Sequence, residues 1–361
     1  MNILMVWARF FPEMGGIETH IHEISRRLSA AGHRITVLAT DRSGALPTRD
    51  RVGEVEVIRV GARPRSTDWY VAPGILGTIL RQRWDVVHVQ GYHTLVSPLA
   101  MLASLLSRQK YVLTFHSGGH SSALRRSLRG LQWRILAPLV RRADALVGVS
   151  QSEVEQFSRG MHIPRNRFRV VRNGAQVPEG VAGTVREDPD LIISMGRLER
   201  YKGHHRVIEA MPAVLRQCPN ARLEVIGAGP YEPDLQRLVA GLGLDRAVRI
   251  FAWDPTDRMG LARHLAACGQ FVLLSDYEAH PVAVMEALGL GRKVLTTRNS
   301  GFAELADLGW LATVPPQAGG EAIAQAILQG LAAPPATSVT LPTWDEAAAS
   351  LLRIYADVVD R

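Results

Sequence analysis

An α/β fold built from two doubly wound, Rossmann-like domains is predicted for this chain of 361 residues. Short apolar runs alternate with helical periods, that rhythm restarts near residue 191, and the length suits two cores of about 150 residues each. Near-continuous apolar strands separated by helices indicate parallel sheets covered on both faces. In such sheets a ligand is expected beyond the carboxyl ends of the strands, here in a cleft where the two domains face each other.

The first run of strand candidates is Ile3–Trp7, Ile35–Ala39, Val55–Val60, Val86–Val89, Tyr111–Phe115, Ala145–Val149 and Phe168–Val171. The stretch Glu18–Ala31 reads as a helix with Ile21, Ile24 and Leu28 on one face. The uncharged run from Val86 to Ser107 is broken by His88, Gln90, Gly91, His93 and Pro98. A buried strand, a loop and a buried helix suit it better than a membrane span. Val177–Asp190, rich in Gly, Pro and acids and without periodicity, is the expected linker. The second run is Leu191–Met195, Arg222–Ile226, Val248–Phe251, Phe271–Leu274 and Lys293–Thr296. A last helix from Trp344 has Thr343 as N-cap, with Glu346 completing a capping box.

Composition narrows the class. Hydrophobic residues at 47% with 21% charged exclude a disordered chain. Two cysteines, Cys218 and Cys268, are too few for a disulfide framework or a four-ligand zinc site, and a reduced, cytoplasmic setting is the expectation. The opening residues lack the basic and apolar regions of a signal peptide. Net charge is +8, carried by 39 Arg and only three Lys (Lys110, Lys202 and Lys293). It divides unevenly, at +13 for residues 1–176 and −5 for the remainder.

Three motifs could carry chemistry. Gly15-Gly16 lies between a strand and a helix, where backbone and helix terminus can approach a phosphate, although an ordinary tight turn reads the same way. The dinucleotide fingerprint G-x-G-x-x-G is absent at that position, which argues against a nicotinamide enzyme. Gly196-Arg197 followed by Lys202-Gly203 places two cations after a strand, suited to a diphosphate leaving group or to a solvated loop. Glu278 is expected to close a strand and Glu286 to lie on the next helix, with Pro281 in its first turn. Two helical turns would separate these carboxylates by roughly 11 Å. That is too wide for a glycosidase pair but wide enough for hydroxyls on two sugar rings. Asp188-Pro189-Asp190 has the form of a metal motif but falls in the linker, and no metal is assigned there.

Taken together and in order, these pieces resemble the retaining GT-B glycosyltransferases of glycosyltransferase family 4. Further matching pieces are Gly32-His33, Asp85-Val86-Val87-His88, Thr114-Phe115-His116, Ala143-Asp144, Arg172-Asn173-Gly174, Gly227-Ala228-Gly229-Pro230 and the Trp344-Asp345-Glu346 helix. The resemblance implies an acceptor-binding domain over residues 1–176, a linker at 177–190 and a donor-binding domain over 191–343. It also implies that helix 344–361 crosses back to the first domain. Arg197 and Lys202 would bind the diphosphate with the Gly15-Gly16 loop and Gly196 against it. Glu286 would hold the ribose hydroxyls, Glu278 the donor sugar, and His116 would assist at the reacting centre. No metal or cofactor is implied beyond the nucleoside-diphosphate sugar itself. Where the family often has Phe-Gly two residues after the first glutamate, this chain has His280-Pro281, with Val282 next, so His280 is a candidate donor to sugar or phosphate.

The acceptor side is marked more weakly, by Tyr92, His93 and the basic residues Arg125, Arg126 and Arg129 within the segment 117–142. A basic amphipathic helix there suits an anionic membrane holding a lipid-linked acceptor, or simply a helix with a core-facing leucine stripe and a solvated cationic face. A glycan or a small natural product is the other acceptor class. No nucleic-acid module is present. Two other readings use the same residues: a GT-B epimerase acting on a nucleotide sugar, and a catalytically silent scaffold binding a sugar nucleotide or a membrane.

Overall fold

The computed structural model describes residues 1–65, 70–116, 129–175, 177, 178, 180, 181, 183–334 and 339–361. In the first part of the chain these form β1 (Asn2–Val6), α1 (Gly16–Ala30), β2 (Arg34–Asp41), β3 (Arg49–Val52), β4 (Val55–Gly61), α2 (Gly74–Arg81) and β5 (Val86–Gln90). There follow α3 (Val96–Leu106), β6 (Tyr111–Thr114), α4 (Arg129–Arg141), β7 (Ala145–Gly148), α5 (Gln151–Met161) and β8 (Phe168–Val170). The second part holds β9 (Asp188–Met195), α6 (His204–Gln217), β10 (Arg222–Ile226), α7 (Glu232–Gly241), β11 (Val248–Phe251), α8 (Arg258–Ala267) and β12 (Cys268–Leu273). It continues with α9 (Val282–Gly289), β13 (Val294–Thr297), α10 (Ser300–Asp307), β14 (Ala312–Val314) and α11 (Gly320–Ala332), and α12 (Trp344–Val359) ends the chain.

These elements make two compact units, one from the described residues up to Asn173 together with Thr343–Arg361, the other from Gly174–Pro342. The first sheet has the order β3-β4-β2-β1-β5-β6-β7-β8 and is parallel except for the β3–β4 pair. The second has the order β11-β10-β9-β12-β13-β14 and is parallel throughout. Chain order reverses between β1 and β5 in the first sheet and between β9 and β12 in the second. The carboxyl ends at such a reversal form the crevice where doubly wound sheets bind ligands.

The expected strands fall on observed ones because helices cover both faces of each sheet and most strand positions are then apolar. Ile3, Leu4, Met5 and Val6 of β1, for example, are fully buried. Two strands lie outside that signal. β3 reads Arg-Asp-Arg-Val and pairs antiparallel at the sheet edge, and β14 has only three residues. The segment 177–190 differs from a free linker. Val181 is buried in the second core, Val177 and Val185 pack against it, and β9 begins at Asp188.

The last helix belongs to the first unit. Its capping box forms as expected, with Glu346 N donating to Thr343 Oγ1 at 3.1 Å and Thr343 N to Glu346 Oε2 at 2.8 Å. It is pinned by Arg27 Nε on Asp345 Oδ1 at 2.7 Å and by a 2.6 Å bond between Tyr355 OH and His88 Nδ1. Among the described residues no helix is long and apolar enough to cross a membrane.

Candidate active site

In the second unit the segments after β9 and β12 converge on one ion pair. Gly203 makes this possible. Its φ of +75° lies in the left-handed region, and a Cβ there would stand 2.0 Å from Leu274 O. The close approach is tied by Asp276 N donating to Tyr201 O at 2.7 Å. It brings Lys202 Nζ to 2.5 Å from Glu278 Oε1, and Ser275 Oγ donates to the same oxygen at 2.9 Å. The Lys202 and Glu278 side chains are only 15% and 9% exposed. Burial alone would pull the Lys202 pKa down, but the Glu278 carboxylate and its neighbours outweigh it and hold the ammonium above its ordinary range. From behind, Gly301 N donates to Glu278 O at 2.9 Å, and a Cβ on Gly301 would stand 1.9 Å from Ala279 O.

Arg197 follows β9 and is less committed: its side chain is 42% exposed, with Glu199 at 3.7 Å. Its positive charge opposes that of Lys202, so the two cations lie within electrostatic reach of each other. His204, the first residue of α6, is fully buried with Nδ1 2.8 Å from Ser194 Oγ, and burial lowers its pKa to about 3.

Two expectations about the glutamates change. Glu278 does not close a strand, because β12 ends at Leu273 and Glu278 lies five residues into the following loop. Pro281 is the N-cap of α9, so helix begins only at Val282. The segment from Glu278 to Glu286 is thus half loop, and the two-turn separation does not apply. His280 is buried, 5% exposed. Glu286 is also buried and accepts a hydrogen bond from Arg258 Nη2, a partner the sequence pattern did not single out.

In the first unit, Gly15 is the N-cap of α1 and Gly16 its first residue. The first turn carries a carboxylate of its own, Glu18. It accepts from Trp7 Nε1 at 2.9 Å, with Arg9 Nε at 3.5 Å. His116 stands at the end of the described segment after β6 with φ of +46°, a left-handed conformation that costs a non-glycine residue of order 1 kcal/mol. Its Nε2 bonds Gln90 Oε1 at 2.7 Å, and His93 Nε2 bonds its backbone oxygen at 2.9 Å. Because an amide oxygen only accepts, the His116 proton sits on Nε2 and leaves Nδ1 as an acceptor. Burial, then the neighbouring imidazoles of His20, His88 and His93, hold its pKa well below 6.5, so the ring is neutral at pH 7. His20 packs edge-on against it at 4.6 Å and bonds Asn173 Oδ1 through Nδ1 at 2.9 Å.

The acceptor candidates fare differently. Tyr92 is 2% exposed and packs edge-on against Phe157, so its ring belongs to the core rather than to an acceptor surface. Arg125 and Arg126 lie outside the described residues, and Arg129 opens α4. On α4 the apolar stripe is not all core-facing. Trp133 packs on Phe157, whereas Leu131 and Ile135 are 55% and 66% exposed. Asp188 of the D-x-D sequence is a strand residue ion-paired to Arg222. Among the described residues no group of three or more His, Cys, Asp or Glu could hold a metal.

Comparison with known proteins matches both halves of the chain. Residues 14–177 match the family described as Glycosyltransferase Family 4, and residues 181–337 match Glycosyl transferases group 1. Glycogen synthase of Mycobacterium tuberculosis is 30% identical over 339 residues, covering 84% of this chain and 80% of the relative. A GDP-mannose:cellobiosyl-diphosphopolyprenol alpha-mannosyltransferase of Xanthomonas campestris is 26% identical over 301 residues, covering 81% and 77%. Among solved structures, sucrose-phosphate synthase from Thermosynechococcus elongatus shares the fold, with a TM-score of 0.79 at 19% identity over 99% of each chain. Two doubly wound units with a returning helix, matched end to end in this way, place the chain in glycosyltransferase family 4, the GT-B glycosyltransferases that use nucleotide-sugar donors.

Proposed function

We propose that the protein transfers a hexosyl group from a nucleoside-diphosphate sugar to a hydroxyl acceptor, with retention of anomeric configuration and without a metal. The observation that carries this reading is the cluster of Lys202, Glu278 and Ser275 at the carboxyl edge of the second sheet, with Arg197 following β9. A cation suited to a departing diphosphate and a carboxylate suited to sugar hydroxyls meet there, and the Arg197 charge acts on the same lysine. In this reading the acceptor oxygen attacks the anomeric carbon on the face from which the diphosphate leaves. The bond to the phosphate oxygen breaks, and that phosphate takes the acceptor proton. No nucleophilic side chain is required. Glu286 accepts from the ribose, the backbone at Gly15, Gly16 and Gly196 lies against the phosphates, and His280 and Val282 line the sugar side. The neutral His116 accepts from a hydroxyl of the transferred sugar.

A thermal-shift panel of UDP, GDP, ADP and dTDP should single out one nucleotide, because binding the native state alone raises its stability. With the corresponding sugar donor and an acceptor, turnover should persist in EDTA and NMR should find the donor's anomeric configuration in the product. An inverted product or loss of turnover in EDTA would refute the mechanism. Conversion of the donor without acceptor would identify an epimerase, and no diphosphate release with any donor and acceptor pool would leave a silent scaffold.

For the acceptor, we favour an anionic, lipid-linked hydroxyl compound presented at a cytoplasmic membrane surface. Support comes from the +13 charge of residues 1–176 and from the diphosphopolyprenol acceptor in the name of the Xanthomonas relative. Vesicles containing anionic lipid should retain the protein at low salt and release it at high salt. Equal binding to neutral vesicles would remove the membrane part and leave the transferase reading intact.

A further inference from the structure

Each candidate-site glutamate of the second unit is paired with a cation, and the partner of Glu286 comes from a segment with no recognised role. Arg258 reaches it across 28 positions, from the first turn of α8 to α9. The pair is lopsided, with the Glu286 side chain 10% exposed and that of Arg258 47%. A half-exposed guanidinium adds little to fold stability. Val284, Met285, Ala287 and Leu288, the neighbours of Glu286 on its helix, all lie in the second core. An apolar residue at 286 would serve that packing better, and a carboxylate buried in such company has to be partnered.

Arg258 is itself held in place. Asp257, the N-cap of α8, accepts from Gly260 N at 2.8 Å, and Trp253 Nε1 donates to Asp257 O at 3.2 Å. These bonds fix the backbone from which the guanidinium extends. A guanidinium donating to Oε1 restrains rotation of the carboxylate, and a carboxylate offers about four acceptor positions in all. With one taken by Arg258, enough remain for both hydroxyls of a vicinal diol.

We infer that Arg258 is a positioning residue for the donor nucleotide: it fixes the Glu286 carboxylate in the orientation that accepts the ribose diol. The inference rests on the ribose role proposed for Glu286. It adds a dependence of ribose recognition on a residue that touches the nucleotide only through that glutamate.

The test is calorimetric titration with UDP, GDP and ADP, repeated with the 2′-deoxy form of whichever binds. Wild type should prefer the ribose form by about tenfold or more, as expected when a built hydrogen bond is lost. Arg258→Met should weaken the ribose form about tenfold and the deoxy form less than about twofold, while Arg258→Lys recovers part of the loss. In the Glu286→Gln background, Arg258→Met should add nothing further. With the sugar donor, KM should rise about tenfold while kcat at saturation stays within about twofold. Equal weakening of ribose and deoxyribose forms, or an additive double variant, would overturn the role of Arg258. Wild type that binds both forms equally, or binds dTDP alone, would overturn the role of Glu286, and failure to bind any of the three nucleotides or dTDP would overturn the donor reading.

Discussion

Arg197→Ala is expected to lower turnover by roughly 10²- to 10³-fold, and Lys202→Ala by at least as much. The two substitutions should differ in stability. Arg197 is 42% exposed beside Glu199, so its loss should leave the melting temperature nearly unchanged. Lys202 is the cation that offsets the buried charge of Glu278. Removing one partner of a buried pair leaves an uncompensated charge and costs up to about 3–5 kcal/mol. Lys202→Ala should therefore melt earlier, and the double variant with Glu278→Gln should recover melting temperature without recovering turnover. Full turnover in either single variant would end the diphosphate assignment.

Acidification should destabilise both units well before the carboxylates titrate. Burial lowers the pKa of His20 to about 4, of His88 to about 3 and of His204 to about 3, and pushes His116 down as well. Between those values and the ordinary 6.5 the unfolded chain binds more protons than the folded one, so stability falls as pH falls. It is fully present above pH 6.5. At pH 5 each independent, fully buried histidine accounts for a loss of about 2 kcal/mol. The losses in the first unit add, because at that pH the buried rings of His20, His88 and His116 are still essentially neutral in the folded state and the protons are taken up by the unfolded chain. Melting followed by calorimetry should be flat from pH 8 to 7 and drop steeply between pH 6.5 and 4, with net proton uptake on unfolding at pH 5. A melting temperature that holds down to pH 4.5 would contradict these burial-driven shifts.

Much of the fold was legible because strands covered by helices are dominated by apolar residues: Arg222–Ile226 and Val248–Phe251, whose Leu223, Val225, Ile226 and Val248 are buried, are strands with the bounds the apolar runs suggest. β3 was illegible for the opposite reason, since an antiparallel edge strand may be charged at nearly every position. The site was legible as residue types and less so as partners. Lys202 and Glu278 were legible as site residues but were assigned to different parts of the donor, diphosphate and sugar, whereas the fold bonds them to each other. Arg258 follows no spacing rule relative to Glu286, because the connection runs between two helices rather than along one. Tyr92 is an acceptor candidate by sequence, yet three-dimensional packing against Phe157 claims its ring.

The return of α12 has a consequence for how the protein is made. Its Tyr355 hydroxyl satisfies His88, and Trp344 meets His20 edge-on at 5.7 Å. These contacts lie 267 positions from His88 and more than 300 from His20, with the whole of Gly174–Pro342 synthesised in between. On the ribosome the second unit can fold as it emerges, while the first must wait with the underside of α1 and β5 uncovered until α12 emerges. Newly made chains should therefore recruit chaperones to the first unit until α12 has emerged, and removal of Thr343–Arg361 should leave that unit, not the second, prone to aggregation.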